Sequence, residues 1–526
     1  MSFQFLERRR LARLILLTAA LVVPQLEGLP ALAQQIEPPD VPLPPPEPPS
    51  DLPVAPSDQP GPAPQPAPAP EPSPAPVTSP SVPPPAPPAA PAPEPLAGFS
   101  DGTPFLRAPD NSFVLFPGGR LQTDAYVFRS ANKPPNNTVL LRSARLELGG
   151  WVGSRIYFFL SGEFAQGPPP GAAPVAPANL ITNDDWIALA PWGSLAVLQV
   201  GQFDAPFTLE NRTSSKYIDF MERSVTVRAF GIPDNKEMGA MVHGFNVDRN
   251  FHYSLGTFNG DGQNFKNADG HFDWMGRAWL APLSFIGPGP LHDVEIGASL
   301  WTGVRDNTLA PAAQTTQGGF TFFSTAAYSA TPTGATAAQS VQLRQNGRLN
   351  AFAFELNAPV AHRGGFRAEV VWKHSPLVEA TIASNGTGTP LGPADLQGYS
   401  LYAEGWVWVV GDDRITGDQQ GIGGLPRYKQ FGVRPIEDGL MLALRYEHLD
   451  EHLTEGTATA ALNLGDKSAG TTRLDVSELG INYWHSRRYR ATFNYVLNHF
   501  GGDTPAVSKL SSRYEQEFLF RLAIAL

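Results

Sequence analysis

The chain has 526 residues, with 38 Lys and Arg against 49 Asp and Glu, a net charge of −11 and no cysteine. That balance offers no basic footprint for nucleic acid, and without thiols neither a disulfide framework nor a cysteine-assisted metal site can form. No stretch reaches 18 consecutive apolar residues, so no membrane-spanning helix is expected.

Residues 1–33 read as a signal peptide. Arg8, Arg9, Arg10 and Arg13 form a positive start, Leu14 to Val23 is an apolar run too short to span a bilayer, and Ala31-Leu32-Ala33 supplies a small-x-small cleavage pattern. Residues 34–97 read as a disordered, proline-rich periplasmic linker. Within it, residues 38–95 hold 28 of the 55 prolines, and proline removes the backbone donor and locks φ, which precludes helix and sheet. Such a segment samples polyproline II at roughly 3.1 Å per residue. It is expected to serve as a plain tether or, on a sharper reading, to touch the cell wall through residues 38–95. The remaining residues, 98–526, carry 34 basic and 40 acidic side chains, a net of −6.

From Gly98 onward, short segments alternate apolar and polar residues with period two, between loops rich in Gly, Pro, Asn and Asp. Leu146 and Leu148 oppose Arg145 and Glu147. Ile156, Phe158, Leu160 and Phe164 oppose Arg155, Tyr157, Ser161 and Glu163. Further along, Phe352, Phe354 and Leu356 oppose Glu355 and Asn357, while Phe366, Ala368, Val370 and Trp372 oppose Arg367, Glu369 and Lys373. Leu440, Leu442, Leu444 and Tyr446 oppose Arg445 and Glu447, and Arg490, Thr492 and Asn494 oppose Ala491, Phe493 and Tyr495. A soluble sandwich would bring apolar faces together, whereas a barrel in lipid turns them outward and lines water with the charged faces.

Export favours the barrel. So do Trp151, Trp274, Trp279, Trp372, Trp406, Trp408 and Trp484, expected as interfacial girdles. The closing segment favours it too: Phe518, Phe520, Leu522, Ile524 and Leu526 alternate with Glu517, Leu519, Arg521, Ala523 and Ala525. The expected fold is an all-β transmembrane antiparallel β-barrel over 98–526. At about 25–27 residues per strand and connection it has about 16 strands, with 18 as the alternative, and a water-filled lumen.

The run Val200 to Glu210 (VGQFDAPFTLE), followed by Ser214-Ser215 and by Phe220 to Ser224 (FMERS), resembles the phosphate-selective porin O and P family. So do Gly118 to Tyr126, Leu141 to Leu148, Leu255 to Gly262 and Gly480 to Tyr483. The resemblance runs from about Phe99 to the C-terminus. It implies an outer-membrane diffusion channel of a Gram-negative bacterium, a 16-stranded barrel, a homotrimer and one loop folded into each pore. Glu210 to Arg228 has the place of that loop, with Pro206 and Pro233 as backbone breaks on either side. Where relatives carry an Arg before the next strand, this chain reads Asp234-Asn235-Lys236-Glu237-Met238-Gly239.

An anion pore needs cations where water is scarce, with hydroxyl and N–H donors that replace hydration. The expected constriction residues are Arg212, Ser214, Ser215, Lys216, Arg223 and Arg228. On the lumen wall Arg120, Arg145, Arg155, Arg367, Lys373, Arg445 and Arg490 form either an arginine ladder or a set of pairs with Glu147, Glu163, Glu369 and Glu447. No catalytic constellation, cofactor motif or histidine-based metal spacing emerges. Asp184-Asp185 and Asp412-Asp413 could hold Ca²⁺ only with further oxygens. The expected function is passive diffusion of small anions, phosphate among them. The alternatives are a non-selective diffusion porin and an envelope tether that uses the linker.

Overall fold

The computed structural model describes residues 96–526 except 101–102, 131, 133–134, 154, 166–180, 233–234, 326, 332–333, 383–387, 413–437, 456–469, 487 and 526. The signal peptide, the linker up to residue 95, Pro233, Asp234, Asp413 and Leu526 therefore lie outside the described residues.

Sixteen strands form the wall. They are β1 (Phe113–Ser130), β2 (Thr138–Val152), β3 (Ile156–Glu163), β4 (Asp185–Leu189), β5 (Val197–Asp204), β6 (Lys236–Phe245), β7 (Phe251–Phe258) and β8 (Asp273–Leu280), followed by β9 (Glu295–Asp306), β10 (Gln339–Val360), β11 (Gly364–Thr381), β12 (Pro390–Val410), β13 (Gly439–Glu455), β14 (Gly470–Ser486), β15 (Tyr489–Gly502) and β16 (Tyr514–Ala525). Each pairs antiparallel with the next, and β16 returns to β1 from Glu515↔Ser130 to Ala525↔Arg120. The sheet is closed. Closure satisfies every ladder group internally, as hydrocarbon demands, and leaves no edge. A short hairpin, Ala97–Ser100 with Thr103–Arg107, leads into β1 through Leu106↔Leu115.

The connections sort by end. At one end lie tight turns at 153–155, 246–250 and 361–363; at the other lie the long connections 164–184, 205–235 and 307–338. This is the asymmetry of periplasmic turns and extracellular loops. The connection 411–438, on the turn side, is the long exception.

The faces follow the alternation read above. On β16 Leu522 is 68% exposed and Phe520 also points out, whereas Leu519 is wholly buried and Arg521 points in. The same holds for Phe352 and Phe354 against Glu355, and for Leu442 and Leu444 against Arg445.

Two expectations need correction. Trp279, Trp406, Trp408 and Trp484 are buried inside the barrel rather than placed in a girdle, while Trp274 remains on the exterior. The interior supplies partners that lipid cannot: the Arg367 guanidinium lies 4.8 Å from the Trp406 ring centroid and that of Arg490 4.8 Å from Trp484. Nor is the interior lined by polar side chains alone. Phe207, Met221, Val225 and Phe230 of the 205–235 connection form one apolar cluster with inward Phe258, Met275, Trp301, Leu349, Val371 and Leu474. A loop seated in a barrel needs an apolar face beneath it, and the wall provides one there.

Candidate functional site: an inserted loop and the passage beside it

After Asp204 the chain turns into the lumen and makes two short helices, α1 (Leu209–Arg212) and α2 (Val225–Phe230). Thr208 Oγ1 caps α1 by accepting from Asn211 N at 3.3 Å, and Ser224 Oγ caps α2 by accepting from Val227 N at 3.3 Å. The wall finishes both caps. The Glu369 carboxylate accepts from the amides of Leu209 (2.7 Å) and Glu210 (2.8 Å), and Glu447 accepts from Val225 N at 2.5 Å. Carboxylates are favoured at helix starts, where backbone donors have no helical partner. Asn494 Oδ1 accepts from Met221 N at 2.8 Å and Arg521 donates to Met221 O at 2.6 Å. Arg445, wholly buried, pairs with Glu210 at 3.0 Å and Glu478 at 2.7 Å, its guanidinium 4.3 Å from the Phe220 ring centroid. The side of the loop toward β11–β16 is thus clamped and buried.

The side toward β1–β5 stays partly open. Ser214, Ser215, Lys216, Glu222 and Arg223 of the loop are half-buried there, as are Arg142, Arg145, Glu163 and Asp184 near the wall. Charges of both signs are paired there. Arg142 pairs with Glu222 at 3.2 Å, Arg145 with Glu163 at 3.1 Å, and Lys216 with Glu147 at 2.5 Å. Lys236 bridges Asp184 at 2.6 Å and Asp204 at 2.7 Å.

Of the expected constriction residues, Ser215 Oγ accepts from Arg120 at 2.5 Å and Ser214 Oγ from Lys216 N at 3.4 Å. Three arginines act on carbonyls. Arg212 donates to Asp204 O, Arg223 to Glu210 O (3.1 Å) and Thr213 O (2.8 Å), and Arg228 to Arg223 O (2.9 Å), Thr315 O (2.7 Å) and Thr316 O (2.9 Å).

On the wall, Arg120 pairs with Glu147 at 3.1 Å, and Arg367 pairs with Glu404 and, at 3.2 Å, with Asp219. Lys373 Nζ lies 4.9 Å from the Trp301 ring centroid, and Arg490 donates to Asn482 Oδ1 at 2.6 Å. Arg155 departs from the lumen face assigned to it: it is an exposed residue of the 153–155 turn, because β3 begins only at Ile156.

Arg142 escaped the alternation. It shares parity with Leu146 and Leu148, which would aim it at lipid. The register slips between Gln122↔Ser143 and Thr123↔Leu141, and this bulge turns Arg142 inward, its side chain 34% exposed. An arginine on the apolar parity of a strand is the signal that could have revealed the bulge.

Burial pushes the Glu222 carboxyl up, but Arg142 and Arg521 outweigh it and bring it down to about 2. A carboxylate lowered on folding adds stability that is complete above its ordinary value and is lost as pH falls through the folded value. The Glu222 contribution should therefore persist at pH 5 and fade from about pH 4.5 to about 2. Conductance recorded across that range should change, and Glu222→Gln should remove the change.

A closed lipid-facing barrel with a loop seated inside it and a charged passage alongside is an outer-membrane diffusion channel. Residues 117–311, which span β1 to β9, match the family model of phosphate-selective porin O and P, the family that the motifs resemble. No curated protein sequence matches the chain. Similar solved structures include OmpT, an outer membrane protein of Vibrio cholerae (trimer form), at 11% identity and TM-score 0.46 over 79% of this chain and 100% of that one. The outer membrane channel DcaP of Acinetobacter baumannii is 9% identical at TM-score 0.44, over 80% of this chain and 99% of that one. Salmonella typhi OmpF in complex with daunomycin is 9% identical at TM-score 0.43, over 82% of this chain and 100% of that one.

Proposed function

We propose that the channel passes small hydrophilic solutes with little preference between cations and anions. One observation carries this reading: four of the cations along the passage wall and its loop, Arg142, Arg145, Lys216 and Lys236, each have a carboxylate partner. An anion-selective pore needs unbalanced positive charge at its narrow place, and an ion pair presents a dipole there instead.

A second reading, preference for phosphate, is favoured by Arg223 and Arg228. Both are partly exposed, and the hydrogen bonds that hold them end on backbone carbonyls, those of Arg223 next to Ser214 and those of Arg228 at Thr315 and Thr316. A guanidinium held this way keeps its full charge for an anion.

Reversal potentials of the purified protein in planar bilayers under a potassium chloride gradient separate the two. Balanced diffusion gives a chloride-to-potassium permeability ratio near unity and no response to phosphate. A ratio above about ten, or block of the chloride current by phosphate, would move the assignment to an anion channel. The homotrimer implied by the family resemblance, and a cell-wall contact through residues 38–95, belong to the same proposal.

A further inference from the structure

The connection 307–338 also enters the barrel. Within it Gln314–Thr315 and Thr321–Phe323 form a two-stranded sheet of their own, with no ladder to the wall. Side chains hold this hairpin instead. Gln314 Nε2 donates to Glu451 at 2.6 Å, Gln317 Nε2 to Glu478 at 2.7 Å, and Gly318 N to Glu517 at 2.7 Å. Arg228 of α2 grips Thr315 O and Thr316 O from the other side. Phe320 and Phe322 rest 5.4 and 6.2 Å from the Phe500 ring. The hairpin thus fills the interior beside β13–β16 and reaches Phe128 of β1.

The docking is separable from the wall: these polar contacts are side-chain or single backbone bonds, so no sheet ladder must break for the hairpin to leave. Apolar contact supplies the rest of the hold, with Phe322 and Phe323 each 3% exposed. The fit itself is close: a Cβ on Gly318 would stand 2.3 Å from a Phe128 ring carbon and 3.0 Å from the Glu517 carboxyl carbon.

We infer that the 314–323 hairpin is a releasable plug. Docked, it seals the lumen beside β13–β16 and confines solutes to the passage along β1–β5. Undocked, it opens a second and wider path. This rests on the channel reading and adds to it a device that sets the size limit.

The test compares the full chain with Gly318→Val, whose side chain wedges against Phe128, and with a variant in which residues 312–325 are replaced by a short Gly-Ser linker. Single-channel conductance and liposome swelling with sugars of increasing mass are the readouts. Heat-modifiable electrophoretic mobility confirms a closed barrel in each. Both variants should raise conductance about twofold and admit larger sugars, as a second parallel path of similar width would. Folded variants with unchanged or lower conductance and the same sugar limit would overturn the plug and leave the channel reading intact. A native protein that forms no conducting pores would instead overturn the channel reading.

Discussion

Replacing Arg445 with methionine should destabilise the inserted loop by about 3–5 kcal/mol, the usual cost of removing one member of a buried ionic cluster. Arg445 is wholly buried and holds Glu210 of the loop and Glu478 of the wall at 3.0 and 2.7 Å. It also donates to Glu222 O at 3.0 Å. Methionine fills much of the volume but leaves three carboxylates, Glu210, Glu478 and Glu447 (2.8 Å from the native guanidinium), with no cation between them. The loss comes mainly from those stranded charges, since the net worth of an intact buried pair is small. Urea titration of the refolded protein in liposomes measures it, and flickering of the single-channel current should accompany it. Neutralising all three acids in the same chain, as Glu210→Gln, Glu447→Gln and Glu478→Gln, should restore most of the loss. A change below about 1 kcal/mol in the single variant would show that the loop is held elsewhere.

The second large effect lies one residue away, on the other face. Leu444 is exposed on the exterior, opposite Gly405 and Leu479 in the ladders of its neighbours. Leu444→Arg should cost about 2–4 kcal/mol if the site sits at the bilayer midplane, falling to about 0–1 toward either interface. The same titration in liposomes reads it. In detergent micelles, which adapt around a charge, the cost should shrink. Equal stability of variant and native protein in liposomes would mean that this face does not meet hydrocarbon. The contrast between adjacent Leu444 and Arg445 is the period of two expressed as energy: a one-residue slip exchanges a lipid contact for an ionic cluster.

Much of the fold was legible because that period is local. Phe520, Leu522 and Arg521 reveal their faces from spacing alone, and the summed length of alternating segments sets the strand number. Where a reading failed, a non-local partner had intervened. Arg142 needed a bulge visible only against the register of β1. Trp406 and Trp484 follow the inward parity of Glu404 and Asn482, and what spacing did not show is that Arg367 and Arg490 would meet their rings inside the barrel. The candidate loop was placed by its motif, yet which of its arginines would end on carbonyls depended on how it folded back on itself, as Arg223 does on Glu210 and Thr213. The 314–323 hairpin left no trace in the alternation, since its bonds run to glutamates on β13, β14 and β16.

The residue order by itself determined a closed antiparallel wall with an apolar exterior, because facing in a strand is a property of neighbours two apart. Tertiary structure alone decided what occupies the interior and which charges there are matched. Ion pairs such as Arg142 with Glu222 join residues far apart in the chain, and no local pattern encodes which carboxylate a guanidinium will meet once the barrel has closed.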